Sequence, residues 1–447
     1  MVAPPLLSFY GDDLTGSTDA MEALSLGGVE TVLFLRPPDA TQRGRFATCR
    51  AVGLAGTSRS RSPDWMEREL RPALSWLRSL GAPVCHYKVC STFDSSPRTG
   101  SIGRAIDIGH ELFGQTVTPL VVGVPQLRRY TAFGSLFAVL DGVAYRIDRH
   151  PVMSRHPVTP MHEADLRLHL AQQTARPVRL ADLALLKSPD PEAALDALMQ
   201  EPGTVLLLDV LDAQTQQVVG DTIWRHALRR PLFVAGSSGV EYAVLQAWQA
   251  AGLATGAAEF APPGAVDRIA VVSGSCSQVT EGQIRWSLQH GFAGITLDPA
   301  LLAAPGDVTA GDPPFLREAL TLLAAGQSPI LYSAMGPDSD LGGARLDADG
   351  RHQIGRNLGR ILRRLVAEAR LSRAVVAGGD TSSHALGELG VLALKTLLPL
   401  PETPGSPLCL AYDEAGRLDG LQIALKGGQI GSLGYFSNIR HGLSVAA

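Results

Sequence analysis

At 447 residues the chain is too long for one ordinary hydrophobic core, so two domains are expected. Its composition is globular, 45% hydrophobic against 18% charged, with enough apolar surface to fill both cores. The net charge of −4 is spread with both signs along the chain. No basic stripe or polybasic amphipathic run stands out, which argues against nucleic-acid and membrane-surface partners.

The N-terminal MVAPPLLSFYGDDLTG has no basic leader, and Asp12 and Asp13 break its apolar run, so it reads as a first core strand rather than a signal peptide. No apolar run is long enough to span a bilayer. Five cysteines without CxxC or CxxH spacing suggest neither disulfides nor structural zinc, and the expected setting is a reducing, cytoplasmic one. Gly11 to Leu26 reads as a tight loop feeding a helix, with Thr15 or Ser17 as its cap. LLSFYGD, TVLFLR, AVGLAG, VCHYKVC, PLVVGV and VLLLDV then read as buried strands, most followed by helical patterns. This alternation predicts an α/β protein of two domains, each a mainly parallel sheet flanked by helices, with a cleft between them.

The text GLATGAAEFAPPGAVD, residues 252–267, has two prolines, small residues and no periodicity, and is expected to link a domain 1–251 to a domain 268–447. Beyond it come RIAVVSGSCS, AGITLD, PILYSA, RAVVAGGDTSS and LQIALKGGQIG as further strands. Ile354, Leu358, Ile361, Leu362, Leu365 and Val366 recur at helical spacing among arginines, which predicts a core-facing helix with a solvated face. Leu400 to Pro407 is expected as a surface crossover.

Three regions carry chemistry. In YGDDLTGSTD, paired carboxylates after a strand place Asp12 and Asp13 at the carboxyl edge of a sheet, where α/β proteins bind ligands. One acid could take the proton of an attacking hydroxyl; equally, either could simply cap the following helix. In KVCSTFDSSPRTGSIG, the hydroxyls of Ser91, Thr92 and Ser101, with the backbone at Gly100, suit a polyol, and Lys88 or Arg98 suits its negative charge. Ordinary loop composition is the plain alternative. In the second domain AVVSGSCSQVTEGQI, AVVAGGDTSSHAL and IALKGGQIGS are three strand–glycine-turn segments, none fitting a Walker or GxGxxG pattern. Their glycines let backbone N–H groups approach phosphate, and the helix starts add positive potential. Only four lysines occur among 39 basic residues, and Lys88 and Lys426 fall inside these regions. His150, His156 and His162 have no metal-site spacing, AGSSG at 235–239 could line the site or only turn the chain, and Cys90 and Cys276 lack a histidine partner.

Taken in order, GDDLTGSTD, KVCSTFDSS with GSIG, RHPVTPM, AGSSG, VVSGSCSQVT, VVAGGDTS and LKGGQIG make the chain similar, nearly end to end, to the four-carbon acid sugar kinases. The resemblance implies an N-terminal domain for a sugar acid and a C-terminal domain for ATP, working with Mg²⁺. It puts nucleotide contacts on Ser275, Gly378, Gly379, Asp380, Thr381 and Gly428, with Lys426 beside them and Lys88 in the sugar-binding motif. Of the expected catalytic residues Asp12, Asp13 and Lys88, Asp13 or Asp12 would deprotonate the hydroxyl, while Lys88 and Arg98 hold the carboxylate or 3-oxo group. The likeness is strongest to the 3-oxo-tetronate kinases, but the loop Ser96 to Ser101 departs from that branch, and Asp380 stands where it has glutamate. The loop resembles that of a sister branch acting on the branched 3-oxo-isoapionate. The expected activity is therefore phosphorylation of a terminal hydroxyl of one of these acids. A phosphosugar lyase or isomerase, or a non-catalytic sugar-acid sensor, remains open, no magnesium ligand is singled out, and a homodimer is compatible with the chain.

Overall fold

The computed structural model describes residues 3–156, 158–336 and 348–442, the side chains of Ala348, Asp349 and Asp380 excepted. The chain divides between Ala258 and Glu259 into two compact units. No helix among the described residues is long and apolar enough to cross a membrane.

The first unit holds β1 (Leu7–Gly11), β2 (Thr31–Phe34), β3 (Ala51–Ala55), β4 (Val84–Lys88), β5 (Val117–Val121), β6 (Arg129–Ala132), β7 (Ser135–Leu140), β8 (Val143–Arg146), β9 (Val178–Ala181), β10 (Thr204–Leu208) and β11 (Leu232–Gly236). Eight of these form one parallel sheet in the order β2-β3-β1-β4-β11-β5-β10-β9. β1, β4, β5, β10 and β11 are buried along their whole length, the pattern of parallel strands covered on both faces. Their continuous apolar runs are what made them visible in the sequence.

Two local features differ from expectation. The helix Leu14–Leu26 is capped by Asp13, the alternative the paired acids offered, and not by Thr15 or Ser17, because the backbone is still extended at Asp13 (φ −144°, ψ 171°) and helical from Leu14. β6, β7 and β8 form an unforeseen antiparallel sheet between β5 and β9. β8 is largely exposed, so these strands lack the apolar run that marks the others. The excursion is tied to the main sheet where β10 ends: Thr131 N donates to Val210 O (2.9 Å), and both oxygens of the buried Asp209 accept from Gly134 N (3.2 and 3.3 Å).

The second unit holds β12 (Ala270–Ser273), β13 (Phe292–Thr296), β14 (Ser328–Tyr332), β15 (Arg373–Ala377), β16 (Val391–Leu398), β17 (Leu408–Asp413) and β18 (Leu421–Lys426). The order is β13-β14-β12-β15-β18-β17-β16; the first five are parallel, and β17 runs antiparallel to both neighbours. The segment 400–407 is thus no crossover but the link of an antiparallel pair, and its Thr403 and Ser406 are buried. The helix Ala348–Ala369 buries Leu358, Ile361, Leu362, Leu365 and Val366, as its spacing predicts. A fully buried arginine, Arg373, staples the unit: its three nitrogens donate to Gln422 Oε1 (2.7 Å), Ile439 O (2.8 Å), Arg440 O (2.9 Å) and Gly264 O (2.9 Å).

Burial raises the Asp209 carboxyl from the usual 3.8 to about 6 against the pull of the Gly134 N–H. Its folded pKa lies above its unfolded one, so this group favours the fold below about pH 4, and that contribution is lost as pH rises through about 6. The loss is at most about 3 kcal/mol. Asp209→Asn keeps an acceptor for Gly134 and removes the ionisation. Denaturant titrations should therefore find the variant level with the parent near pH 4 and more stable near pH 8; equal pH profiles would refute the assignment.

Candidate active site

In the first unit the functional residues collect beyond the carboxyl ends of the parallel strands. Asp12 follows β1, Arg59 lies in the loop after β3, and Lys88 ends β4. Arg59 grips both acids at once: Nε and Nη2 donate to Asp12 Oδ2 (3.1 Å) and Oδ1 (2.8 Å), while Nη1 pairs with Asp13 Oδ2 (2.6 Å). Asp13 Oδ1 meanwhile accepts from Gly16 N (2.6 Å) as the helix cap. The Lys88 ammonium is buried against Asp19 Oδ2 (3.0 Å) and also donates to Val89 O (3.1 Å). A Cβ at Gly16 would sit 2.7 Å from Asp13 Oδ1, 3.4 Å from Lys88 Nζ and 3.5 Å from Asp12 Oδ1. The charged groups therefore surround a single point that only glycine leaves open.

Exposure separates the two acids. Asp12 is 4% exposed, whereas the Asp13 side chain keeps 29% of its surface. Burial raises the Asp12 carboxyl to about 6, with the Asp13 charge adding to the rise and Arg59 and Lys88 opposing it. Burial also opposes the charge on Lys88, but Asp19 and Glu241 outweigh it and hold the ammonium above its ordinary range. Beneath the pair, the rings of Tyr10 and Tyr87 stack at 5.9 Å, and Ser58 Oγ meets Tyr87 Oη at 2.9 Å.

The loop after β4 is held by its own hydroxyls. Thr92 Oγ1 donates to Asp94 Oδ1 (2.5 Å), and Thr159 Oγ1 to Asp94 Oδ2 (3.1 Å), so Asp94 joins this loop to the RHPVT segment. Ser95 Oγ lies 2.9 Å from His169 Nε2, and burial lowers that imidazole to about 4, which leaves it neutral. Ser101 is buried and caps the helix Ile102–Phe113 through Arg104 N (3.1 Å), and Gly100 N donates to Arg61 O (2.9 Å). Ser91 is half-buried and Arg98 exposed. His156 Nδ1 accepts from Thr159 N (3.1 Å), a local loop closure. Among the described residues no group of three or more His, Cys, Asp or Glu could hold a metal.

In the second unit three loops meet around a cleft of about 520 Å³, lined by Ser275, Gly378, Gly379, Thr381 and Gly428 among others, with the exposed Cys276 at its side. Two helices, Gln278–Gln289 and Gly379–Leu389, begin at it, and first-turn N–H groups are the ones a helix leaves unpartnered. Gly378 adopts φ +124°, and a Cβ there would lie 2.8 Å from Thr381 Oγ1 and 3.5 Å from Ser275 N. The structure does not bring Lys426 to this cleft. Its ammonium turns inward, donating to Gly427 O (2.8 Å), Thr280 Oγ1 (3.1 Å) and Ile430 O (3.2 Å), and burial lowers its pKa to about 8. Gln283 Nε2 adds three bonds of 3.0 Å to the carbonyls of Ile430, Gly431 and Ser432, so residues beneath the surface shape the Gly428 loop. The Asp380 side chain lies outside the described residues.

Arg59 and Asp94 were not among the residues the sequence singled out. The signal for Arg59 was its place just after the strand AVGLAG, which puts it at the same sheet edge as Asp12. Nothing local, however, distinguishes it from Arg61 two residues on.

Comparison with known proteins assigns a family to each stretch of the chain. Residues 7–244 match a sugar-binding N-terminal domain and residues 270–436 a nucleotide-binding C-terminal domain. A 3-oxo-isoapionate kinase of Paraburkholderia graminis is 47% identical over 98% of this chain and 94% of its own length. A 3-oxo-tetronate kinase of Methylobacterium radiotolerans is 32% identical over 96% and 97% of the two chains. The fold of a Haemophilus influenzae crystal structure superposes with a TM-score of 0.71 at 22% identity, covering 97% of this chain and 99% of that one. The chain belongs to the four-carbon acid sugar kinase family.

In Arg59→Gln the Asp12 carboxyl loses the strongest charge opposing its burial. Followed by carboxyl ¹³C NMR, its midpoint should move above about 6; an unchanged midpoint would show that Arg59 does not govern it.

Proposed function

We propose that the protein transfers the γ-phosphate of ATP to a terminal hydroxyl of a short 3-oxo sugar acid, with the branched 3-oxo-isoapionate as first candidate and 3-oxo-tetronates next. The observation that carries this is the second unit's glycine-lined cleft at two helix starts, in a chain 47% identical to a 3-oxo-isoapionate kinase. A cleft of about 520 Å³ suits a nucleotide, and the glycines in its walls let phosphate oxygens reach backbone N–H groups. Ser275, Gly378, Gly379, Thr381 and Gly428 would hold the phosphates, with Asp380 at the same turn. Lys426 acts from below by fixing the Gly428 loop. Mg²⁺ is expected to arrive with the nucleotide, since it binds phosphate oxygens and water and needs few protein ligands.

The sugar acid is assigned to the first unit. Asp13 is the base: it is the accessible acid, and Arg59 and Gly16 N hold its carboxylate in place. Asp12, buried with both oxygens on Arg59, positions that arginine. A loose phosphoryl transition state asks little basicity of the carboxylate, so orientation is its main task. Lys88 offsets the charge of the acids, and Ser91, Thr92 and the backbone at Gly100 line the sugar side, with Arg98 at the loop tip.

The test is ADP release with Mg·ATP against 3-oxo-isoapionate, 3-oxo-tetronates and tetronates. Turnover of a 3-oxo acid is expected; no turnover together with no stabilisation by ATP would overturn the assignment in favour of a phosphosugar lyase. Asp13→Asn should lower kcat at least about 100-fold with both substrates still bound, and full turnover would remove Asp13 as base. Gly378→Ala forces a side chain into a left-handed turn facing Thr381 and should weaken ATP binding at least about tenfold by calorimetry. Unchanged affinity would place the nucleotide elsewhere.

A further inference from the structure

The cluster around Gly16 holds three acids, Asp12, Asp13 and Asp19, against two bases, Arg59 and Lys88. Such an excess suits a group that must accept a proton, but it repels the carboxylate of an acid substrate. The acid end of the substrate therefore needs a cation outside this cluster, at the same sheet edge.

Arg129 meets that need. It opens β6 and pairs with Val124, just beyond β5, through Val124 N to Arg129 O (2.8 Å) and Arg129 N to Val124 O (3.2 Å). That places it at the carboxyl edge, two strands along from β4 in the sheet. Its side chain is half-buried and, among the described residues, makes no ion pair. Burial lowers its pKa, and the groups that oppose this are the Cys90 thiol, in the loop after β4, and the Tyr130 phenol, with no carboxylate among them. Nη1 donates to the carbonyls of Leu127 (2.8 Å) and Arg128 (3.3 Å), while Nε is buried with no acceptor.

An unbonded Nε is not peculiar to Arg129: Arg225 and Arg268 share it, but Arg225 pairs with Glu192 and Asp196, and Arg268 precedes β12 in the second unit, away from a carboxyl strand end. Arg373 is also buried without an acid, but all three of its nitrogens are bonded to protein oxygens. Arg61 Nε likewise lacks an acceptor, but its guanidinium lies 5.5 Å above the Trp65 ring. A half-buried cation with neither a counter-charge nor a full set of acceptors is costly unless an anion completes it.

A second observation falls beside it. The first turn of the helix Gly239–Ala250 packs on the segment before Val124, where a Cβ at Gly239 would lie 2.1 Å from Gly123 O. Ser238, at that helix start, has a buried hydroxyl with no partner. The positive end of a helix and an unfilled hydroxyl therefore lie beside the Gly123–Val124 segment with which the Arg129 backbone pairs. We propose that Arg129, backed by the Ser238 turn, binds the carboxylate of the acid substrate and so selects sugar acids over neutral sugars. The proposal rests on the kinase assignment above.

The experiment compares each 3-oxo acid with its primary amide, which keeps the hydroxyls and lacks the charge, in the parent, Arg129→Gln and Arg129→Lys. Arg129→Gln should raise KM for the acid by about 10–100-fold, leaving KM for ATP and the amide, and kcat at saturation, within about threefold. Arg129→Lys, which keeps the charge without the planar fork, should fall between and guards against a variant that merely misfolds. Undiminished preference for the acid in both variants would overturn the Arg129 site while leaving the kinase intact. Silence of the parent on every acid would overturn the kinase assignment and this inference with it.

Discussion

The first unit depends on how a carboxylate can be buried where a sheet ends. Asp12 is almost completely enclosed, with Asp13 next to it and Asp19 one helical turn and a half further on. Like charges so placed would drive one another to protonate if nothing opposed them. Arg59 opposes them with one planar group, its side-on fork on Asp12 and its remaining nitrogen on Asp13. A lysine could not do this, because a point charge cannot hold two carboxylates in a fixed geometry. The loop that delivers Arg59 is itself fastened to the acids' own segment: Gly56 N donates to Gly11 O (2.9 Å) and Arg59 N to Asp12 O (3.0 Å). Guanidinium and carboxylates are thus fixed to each other through backbone as well as side chain, which is the preorganisation that the proposed proton-accepting role requires.

The second unit solves a different problem by a related route. The phosphate cradle proposed for it needs bare backbone at its surface, and bare backbone has little to hold it in shape. Here the shape comes from beneath: Lys426, Thr280 and Gln283 bond the carbonyls of residues 427–432 from the inner side. Carbonyls drawn inward leave the opposite face of the loop to its N–H groups. Lys426 is the lysine most easily mistaken for a phosphate ligand, and its burial explains why it is not placed as one. An ammonium surrounded by carbonyl oxygens organises the loop rather than touching what the loop binds.

Much of this was legible in the sequence, for reasons that differ by element. β1, β4, β5 and β10 showed because strands buried on both faces must be continuously apolar. The helix 348–369 showed because one buried face imposes its period on Ile354 to Val366. The antiparallel excursion β6–β8 did not show, since strands exposed on one side carry no such run. β16 and β17 were missed for another reason, as 391–413 contains a proline-rich link that hides a hairpin. The cap of the first helix was left open between the acids and Thr15 or Ser17, because Asp, Thr and Ser are equally suitable by type and only the backbone torsions choose among them.

The sequence by itself determined the alternation of strand and helix, the glycine turns and the order of motifs that mark the family, because these are properties of neighbouring residues. Tertiary structure alone decided which charges face which. Arg59 reaches Asp12 across 47 residues, Thr159 reaches Asp94 across 65, and Lys426 reaches Thr280 across 146. No local pattern encodes such pairings; they exist because parallel strands far apart in the chain end at one edge, and a buried charge keeps only the partner that the fold delivers to it.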